Sequence, residues 1–356
     1  METINYEEVE KSNGVNIPDN LVFGKNFTTH YFEMDYDANN GGWHSPTIKK
    51  FSNFQISPAA LVFHYGQAIF EGLKAYKHSD GKVALFRPDE NIKRMNRSAK
   101  RLCMPEIDLD LALTALKELV KLEKDWIPTK DGHSLYIRPL MFATDPYLGV
   151  KAGDQYKFMI MLSPVGPYYP QGFKPVPILA TDKYVRAVRK GVGDCKTAGN
   201  YAASLLGQRE AIKEGYTQVL WLDAIEQKYI EEVGTMNIFI QFKDEVATPM
   251  LTGSILPGVT RMSVLEILKD WNFNVTERMI DINELVEGNK NGNLVEIFGT
   301  GTAAIISSIS KLKYHDTVMQ FSDEYAGELG TKLYEEILGI QYGVREDKFG
   351  WMNYID

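Results

Sequence analysis

A single lysine lies in a glycine-rich loop near the middle of this 356-residue chain. Lys196 is flanked by Gly191, Gly193 and Gly199 in the stretch GVGDCKTAGNY. Glycine lets the backbone bend sharply and approach a ligand closely. A lysine held on such a loop and removed from bulk water can act as an amine nucleophile in Schiff-base chemistry. Most lysines are solvated surface charges, so Lys196 alone does not define a catalytic site.

Two pairs of polar residues could join this lysine in a site. Tyr136 and Arg138 lie two residues apart in HSLYIRPLMF (133–142), which is typical of a strand, so their side chains should point to the same face. Glu231 and Glu232 are adjacent. In an extended segment they point to opposite faces, so one can be buried while the other is solvated.

Predicted helices and strands position these residues. VALFRP (83–88) reads as a strand, and a helix should follow from Pro88. Arg94 lies beside the apolar stripe of that helix, where a salt-bridged surface arginine is the ordinary alternative to a ligand-binding one. The stripe consists of Ile92, Met95, Ala99 and Leu102, spaced by three, four and three residues.

Helix signals recur elsewhere in the chain. Ser57-Pro58 is a plausible helix entry for residues 58–76, where Tyr65, Phe70 and Leu73 share a helical or a partly buried face. A second helix runs roughly from Leu109 to Trp126. After the lysine loop, a helix from Asn200 to Glu214 carries alanine, leucine and isoleucine on one side and stops at Gly215.

The composition is that of an ordinary soluble globular protein, with 44% hydrophobic and 24% charged residues. A formal net charge of −8 disfavours nucleic-acid binding. No apolar run approaches the ~20 residues of a membrane helix. The start METINYEEVEKS lacks the features of a secretory signal, so we expect a cytoplasmic protein. Two cysteines and six histidines without paired spacing predict neither a disulfide framework nor a metal site.

The lysine stretch (191–201) resembles the active-site loop of the branched-chain amino-acid aminotransferases, which are pyridoxal-phosphate enzymes of fold type IV. Six other blocks resemble the same family, in the family's order and over nearly the whole chain. They are FHYGQAIFEGLKAYK (63–77), LFRPDENIKRMNRSAKRL (85–102), LYIRP (135–139), EEVGTMNIF (231–239), LPGVTR (256–261) and EIFGTGTA (296–303).

The resemblance implies pyridoxal 5′-phosphate (PLP) as cofactor. Lys196 would hold it covalently and then, once released, move a proton as general base. The other residues assigned to the cofactor are Arg94, Val259, Thr260 and Thr302 for the phosphate, Glu232 rather than Glu231 for the ring nitrogen, and Tyr201 for the phenolic oxygen. A helix start attracts the phosphate through its backbone N–H groups. A carboxylate at the ring nitrogen keeps that nitrogen protonated, which favours transamination.

The resemblance also implies a mostly apolar substrate pocket for Leu, Ile or Val, with a polar rim that accepts glutamate. The assigned residues are Phe27, Tyr65, Phe70, Tyr136, Arg138, Tyr168, Thr235 and Ala303. Arg138 would meet the distal carboxylate of glutamate, and the backbone at Thr302 and Ala303 the substrate α-carboxylate. One methylene changes binding by only ~1–3 kcal/mol, so the sequence does not rank the three branched substrates.

The expected fold is α/β (α+β), as a two-domain fold-type IV PLP-dependent aminotransferase, with the cofactor between the domains. At this length two domains are expected. We place a smaller N-terminal α/β domain at 1–166, an interdomain loop at 167–177 and a larger C-terminal α/β domain at 178–356. The resemblance implies a homodimer. The expected partners are branched-chain amino acids, glutamate and their 2-oxo acids, with neither nucleic acid nor membrane.

Two alternatives remain open. One is another fold-type IV enzyme, a D-amino-acid aminotransferase or an aminodeoxychorismate lyase, against which the aromatic lining and the LYIRP pair argue. The other is a non-catalytic ligand-binding relative, which intact Lys196, Glu232 and Arg94 disfavour. Mammalian members of the family carry a Cys-x-x-Cys redox pair where this chain reads Ala304-Ile-Ile-Ser307, so we predict no such switch here.

Overall fold

The computed structural model describes residues 3–9, 15–169 and 172–355. The chain divides into two compact units. The first consists of Met1–Tyr168, Cys195–Ala198 and Gly339–Asp356, and the second of Tyr169–Asp194 and Gly199–Leu338. Each unit combines one large sheet with helices, in agreement with the predicted α/β class.

The two units are assembled from separate stretches of chain, whereas the domains expected from the sequence are continuous. The domain ranges 1–166 and 178–356 therefore stay a prediction. Within the expected loop 167–177, Pro170 and Gln171 lie outside the described residues.

The first unit is built on a sheet for which the described residues supply nine strands. These are β1 (Asn5–Glu7), β2 (His30–Asp37), β3 (Gly42–Lys50), β4 (Ala68–Phe70), β5 (Leu73–Lys77), β6 (Val83–Phe86), β7 (Ser134–Ala143), β8 (Gln155–Val165) and β18 (Met352–Ile355). The order across the sheet is β1-β3-β2-β8-β7-β5-β6-β18, and β4 pairs with β7. Strands β1 and β3 are parallel, and the other neighbours are antiparallel.

The helices of the first unit are α1 (Leu61–Tyr65), α2 (Pro88–Arg101) and α3 (Leu109–Leu122), followed by a 3-10 turn at Lys124–Trp126. Proline at the first position of α2 fixes a φ angle that suits a helix start. Asp108 caps α3 by accepting the Leu111 N–H at 2.8 Å. The predicted stripe of α2 is confirmed, since Ile92, Met95 and Ala99 are fully buried in the core of this unit.

Residues 58–76, for which the sequence allowed either a helical or a partly buried face, are helical over only a short stretch. Only Leu61–Tyr65 is helical, and Gly66 ends it in the left-handed conformation at φ 65°. The residues that follow form β4 and β5, which both pair with β7. Backbone pairing with a neighbouring strand therefore prevails over the helical spacing of the aromatic residues.

The second unit is built on a mixed sheet, again with nine strands among the described residues. These are β9 (Val176–Thr181), β10 (Gln218–Leu222), β11 (Ile230–Val233), β12 (Asn237–Phe242), β13 (Val246–Pro249), β14 (Val275–Arg278), β15 (Leu294–Gly301), β16 (Ile305–Tyr314) and β17 (Thr317–Gln320). The order is β11-β10-β9-β16-β15-β12-β13-β14, and β17 pairs with β16.

The remaining helices are α4 (Ala198–Lys213), α5 (Val259–Asp270), α6 (Ile282–Asn291) and α7 (Glu328–Gln341). Helix α4 begins two residues before the predicted start. Its leucines and isoleucine are exposed at Leu205, Leu206 and Ile212, so the predicted apolar side is not the buried one. None of the helices in the described residues has the length and apolar character that crossing a membrane requires.

Candidate active site

The backbone of Lys196 is held on two sides within the first unit. Its carbonyl oxygen accepts the Phe70 N–H at 3.0 Å, and its own N–H donates to Ser98 Oγ at 3.0 Å. The next residue, Thr197, pairs with Ile69 in an isolated bridge. Lys196 Nζ lies 5.0 Å from the centre of the Phe70 ring. The structure thus brings together Lys196 and Phe70, two of the residues assigned to the site.

Arg94 is buried and ion-paired rather than solvated. Its Nε and Nη2 donate to the two oxygens of Glu71 at 2.8 and 2.7 Å. Arg94 is 4% exposed and Glu71 is fully buried. Burial alone raises the pKa of the Glu71 carboxyl, but Arg94, Lys196 and Asn91 together hold that pKa below its usual value. Removing either charge of such a pair costs on the order of 3–5 kcal/mol, because the other charge stays buried.

Tyr136 and Arg138 share one face of β7, as predicted. Arg138 Nη2 donates to the Tyr136 hydroxyl at 3.0 Å. The Arg138 guanidinium carbon also lies 4.7 Å from the centre of the Phe70 ring. The Tyr136 hydroxyl occupies the space beside Gly72, where a Cβ atom would meet it at 2.1 Å. A glycine at position 72 is therefore required for Tyr136 to adopt this position.

Tyr168 and Tyr136 both contact Phe23, which the sequence analysis did not single out. The ring centres of Phe23 and Tyr136 are 4.8 Å apart, and those of Phe23 and Tyr168 are 6.1 Å apart, both edge to face. Phe27, the residue assigned from the sequence, instead stacks on Phe51 at 4.9 Å. The structure therefore joins Phe23 to these two tyrosines, and the pocket role of Phe27 stays a prediction.

Tyr65 ends the short helix α1 and is 43% exposed. Its hydroxyl donates to the carbonyl oxygen of Leu148. This bond holds the ring in place, and the pocket role assigned to Tyr65 also stays a prediction.

Two adjacent buried carboxylates mark the second unit. Glu231 and Glu232 on β11 are only 3% and 4% exposed, so both are buried although the strand pattern allowed one of them to be solvated. Glu232 accepts the Leu256 N–H at 2.8 Å, and Glu231 accepts the hydroxyl of Ser254. Burial raises the pKa of Glu231 above its usual value, against the opposing effects of the Ser254 hydrogen bond and the Arg186 charge. Each face of the strand thus meets polar partners.

Arg186 connects these acids to the loop that precedes Lys196. Its Nε lies 3.3 Å from Glu232, and its Nη2 donates to the carbonyl oxygens of Ser254 and Gly193. A Cβ atom on Gly193 would meet the Ser254 carbonyl oxygen at 2.2 Å. This close approach gives a physical reason for one of the glycines in the lysine loop.

The residues assigned to phosphate binding in the second unit lie at a helix start and in a turn between two strands. Val259 and Thr260 form the first turn of α5, and among the described residues no side chain caps this helix at Gly258. A Cβ atom on Gly258 would meet Asn237 Oδ1 at 2.0 Å, so position 258 has no room for a residue larger than glycine. Thr302 lies in the turn between β15 and β16.

Three further residues assigned to the site, Ala303, Thr235 and Tyr201, lie in turns or at a helix start. Ala303 belongs to the same turn as Thr302, and the exposed Thr235 to the turn between β11 and β12. Tyr201 lies in the first turn of α4 and is partly buried. Their contacts with cofactor or substrate stay predictions.

Sequence reasoning missed three residues of this site: Glu71, Arg186 and Phe23. For Glu71 a signal existed, because it is an acid within the otherwise apolar run AIFEGL, where an unpaired charge would be costly. Arg186 lies among several basic residues in KYVRAVRK, and no spacing distinguishes it from the others.

The comparison of the sequence with known families is consistent with this geometry. The profile of the family described as "Amino-transferase class IV" matches residues 68–312, more than half of the chain. The chain is 52% identical over 334 residues to branched-chain-amino-acid aminotransferase 2 of Bacillus subtilis, covering 94% of this chain and 92% of the relative. Branched-chain-amino-acid transaminase 1 of the same organism is 53% identical, with 94% of each chain covered.

Solved structures of the same kind share the fold. The branched-chain amino acid aminotransferase from Thermobaculum terrenum, solved in its PLP form, matches with a TM-score of 0.75 and 20% identity, covering 93% of this chain and 100% of that one. The enzyme from Escherichia coli matches with a TM-score of 0.73 and 24% identity, covering 92% and 99%. The solved structures confirm the predicted fold class, and the profile and the relatives confirm the family. The chain therefore belongs to the class IV aminotransferases and, within them, to the branched-chain amino-acid aminotransferases.

Proposed function

We propose that this transaminase exchanges the amino group between L-leucine, L-isoleucine or L-valine and 2-oxoglutarate, with pyridoxal 5′-phosphate as its cofactor. The observation that carries the proposal is the placement of Lys196 beside Phe70, one residue from the buried Glu71–Arg94 pair. A lysine amine and a buried arginine fork are the two groups that an aldehyde bearing a phosphate requires. The family and its relatives support the reaction class.

The donor sets of both units fit such a cofactor. In the first unit, Arg94 is held in a fixed plane by two hydrogen bonds to Glu71. In the second unit, the uncapped start of α5 presents backbone N–H groups, which attract an anion through the helix dipole. We assign the phosphate to Arg94, Val259, Thr260 and Thr302.

Two further residues are assigned to the cofactor ring. Glu232 is buried and accepts a backbone N–H, so its carboxylate can bond a protonated ring nitrogen without competing with bulk water. We assign Tyr201 to the phenolic oxygen. When bound, the ring withdraws the electrons left by loss of the substrate α-proton.

Lys196 has two tasks in this proposal. Its Nζ would hold the cofactor through the aldehyde group, and as a free amine the same atom would carry the substrate α-proton. Its main chain cannot drift, because Phe70 and Ser98 bond it from two directions. A fixed main chain restricts the arc through which the amine can move, which favours transfer between two nearby carbon atoms.

Substrate selection is assigned to the aromatic residues and the arginine of β7. Phe70 and Tyr136 offer apolar surface to a branched side chain, and Arg138 offers a charged donor to the distal carboxylate of glutamate. The Arg138–Tyr136 hydrogen bond keeps that donor in place while an apolar substrate is bound. The remaining pocket residues assigned from the sequence are Phe27, Tyr65, Tyr168, Thr235 and Ala303. We further propose a cytoplasmic homodimer.

An absorbance experiment tests the proposal directly. The purified chain, supplied with PLP, should show the visible band of a lysine-bound cofactor. Addition of L-leucine should remove this band, and addition of 2-oxoglutarate should restore it, because each reagent drives one half of the exchange. Steady-state rates with D-alanine and aminodeoxychorismate serve as comparison. A faster reaction with either of them than with L-leucine would overturn the substrate assignment.

A further inference from the structure

Glu71 is a fully buried carboxylate between β4 and β5, and both of its oxygens accept hydrogen bonds. Oε1 accepts Arg94 Nε at 2.8 Å. Oε2 accepts Arg94 Nη2 at 2.7 Å, Asn91 Nδ2 at 2.8 Å and the Gly72 N–H at 3.2 Å. An amide in this position could accept only on one side, and its own N–H groups would face the other donors. The pocket around Glu71 is therefore built for a charged carboxylate.

The neighbours of Glu71 also bond the backbone of Lys196. Phe70, which precedes Glu71, donates its N–H to Lys196, and Ser98, one helical turn after Arg94 on α2, accepts the Lys196 N–H. Helix positions 94 and 98 lie on one face because they are four residues apart. One face of α2 thus fixes both the carboxylate and the lysine backbone.

We propose that Glu71 is the positioning residue for Arg94: it holds the Nε–Nη2 edge of the guanidinium so that Arg94 is oriented for the cofactor phosphate. This inference rests on the proposed function, which assigns Arg94 to that phosphate. The bidentate pair fixes the plane of the fork, and arginine binds phosphate through directional N–H bonds that depend on this plane. Glu71 itself acts through Arg94.

If Glu71 served only to neutralise the charge of Arg94, removing it would change phosphate binding in the opposite direction. If the carboxylate only neutralised Arg94, its removal would leave a stronger positive charge for the phosphate, and phosphate binding would become tighter. If it positions Arg94, its removal would weaken the phosphate contribution although the local charge becomes more positive. The sign of the change therefore separates positioning from charge balance.

The experiment compares PLP with pyridoxal, which lacks the phosphate. Both are titrated into the full chain after removal of cofactor, and binding is followed by the absorbance of the bound form. The preference for PLP is the ratio of the dissociation constant of pyridoxal to that of PLP. For Glu71→Gln we expect this preference to fall by about tenfold or more, as for other residues that orient a ligand-binding group. An unchanged or increased preference would overturn the proposal, and so would an equal loss for both compounds.

Asn91→Ala provides a second variant that keeps both charges. It removes one donor to the same carboxylate, so the PLP preference should fall in the same direction but by less. An unchanged preference in this variant counts against the proposal if Glu71→Gln does not fold. The double variant Glu71→Gln/Arg94→Gln should lose no more preference than Arg94→Gln alone, because Glu71 acts through Arg94. Additive losses would contradict this.

Glu90→Gln is the matched control, since it removes a carboxylate from the first turn of α2 that pairs with Lys93 at the surface. Its PLP preference should equal that of the original chain. The original chain also separates this inference from the proposed function. If it binds PLP no better than pyridoxal, the assignment of Arg94 to the phosphate fails. If it prefers PLP and Glu71→Gln retains that preference, only the positioning role fails.

Discussion

The first unit places Lys196 near a buried pair of opposite charges, whereas the second unit contains two buried acids and the backbone N–H groups of a helix start. In the first unit, Glu71 and Arg94 neutralise each other through two hydrogen bonds. In the second unit, Glu231 and Glu232 are both negative by type and lie side by side, supported by Ser254, Leu256 and Arg186.

This difference indicates how each unit meets a ligand. A paired arginine is stable without a ligand, so the first unit can hold its geometry in advance. Two adjacent buried acids repel each other, and Arg186 supplies a cationic partner at Glu232. The second unit therefore balances its buried charge with one arginine for two acids, whereas the first pairs one arginine with one acid.

The largest expected effect is the loss of the lysine amine. Lys196→Ala should abolish the visible band of bound PLP and lower turnover by at least ~10⁴-fold, because nucleophile and proton carrier are removed together. Absorbance and steady-state rates measure this. Lys183→Ala, which changes an exposed lysine of the second unit, should leave both unchanged. Turnover near that of the original chain after Lys196→Ala would refute the role of this residue.

The two acids of β11 allow a matched comparison. Glu232→Gln should lower kcat by about 10²–10³-fold while cofactor still binds, because a neutral amide stabilises a protonated ring nitrogen far less than a carboxylate does. Glu231→Gln should change kcat less than about tenfold, since Glu231 bonds the Ser254 hydroxyl and is not assigned to the ring nitrogen. Single-turnover rates with L-leucine distinguish the two. A larger loss for Glu231→Gln would move the ring-nitrogen role to that residue.

A smaller and substrate-dependent effect is expected at Arg138. Arg138→Gln should reduce kcat/KM for 2-oxoglutarate by about 10–100-fold, because a charged hydrogen bond to a carboxylate is lost. The half-reaction with L-leucine, which lacks a distal carboxylate, should change little. Tyr136→Phe removes the hydroxyl that accepts from Arg138 and should show a weaker form of the same pattern. Equal losses for both substrates would mean that Arg138 supports the fold rather than selecting substrate.

The smallest effect concerns a helix start that, unlike that of α5, is bonded by a side chain. Glu296 accepts the N–H of Leu329 at 2.7 Å and that of Gly330 at 3.2 Å, at the start of α7. Burial raises the pKa of Glu296 from 4.5 to about 7, against these two bonds. Between those values the folded state binds more protons than the unfolded state, so stability falls as pH rises through this window.

Glu296→Gln should remove this pH dependence. Between pH 5 and pH 8, the original chain should lose roughly 1–3 kcal/mol of unfolding free energy relative to the variant. Urea unfolding at both pH values measures the difference. Glu287→Gln, at an exposed position of α6, should show the same change in unfolding free energy with pH as the original chain. A constant offset between the Glu296 variant and the original chain would show that the carboxyl does not titrate in this range.

Much of this site could be predicted from the sequence where local pattern determines position. The apolar spacing of α2 placed Arg94 on the edge of a buried stripe, and the strand alternation of β7 placed Tyr136 and Arg138 on one face. The motif order identified the family, which the comparisons confirm. In the first two cases the decisive pattern lies within one helix or one strand, and in the third it is the order of motifs along the chain.

The remainder depended on contacts between distant parts of the chain. Strands β4 and β5 form where the sequence also allowed a helix, because β7, far along the sequence, pairs with them. Glu71 needs Asn91 and Arg94 of the following helix, and the burial of both Glu231 and Glu232 needs Arg186 and Ser254. A single sequence does not say which residues pair: the apolar run around Glu71 signals only that this acid needs a partner, and each of the other residue types also suits a solvated surface.

Strand β18 (Met352–Ile355) has a consequence for biosynthesis. It pairs with β6 at the margin of the first sheet, and the whole of the second unit is translated between these two strands. At ~5–20 residues per second, the outer edge of β6 waits roughly tens of seconds for its neighbour. During this interval a nascent chain presents an open strand to other nascent chains on the same messenger. Ribosome spacing and chaperone capacity should therefore influence the yield of this protein. Their influence should be smaller for a protein in which neighbouring strands of each sheet are translated soon after one another.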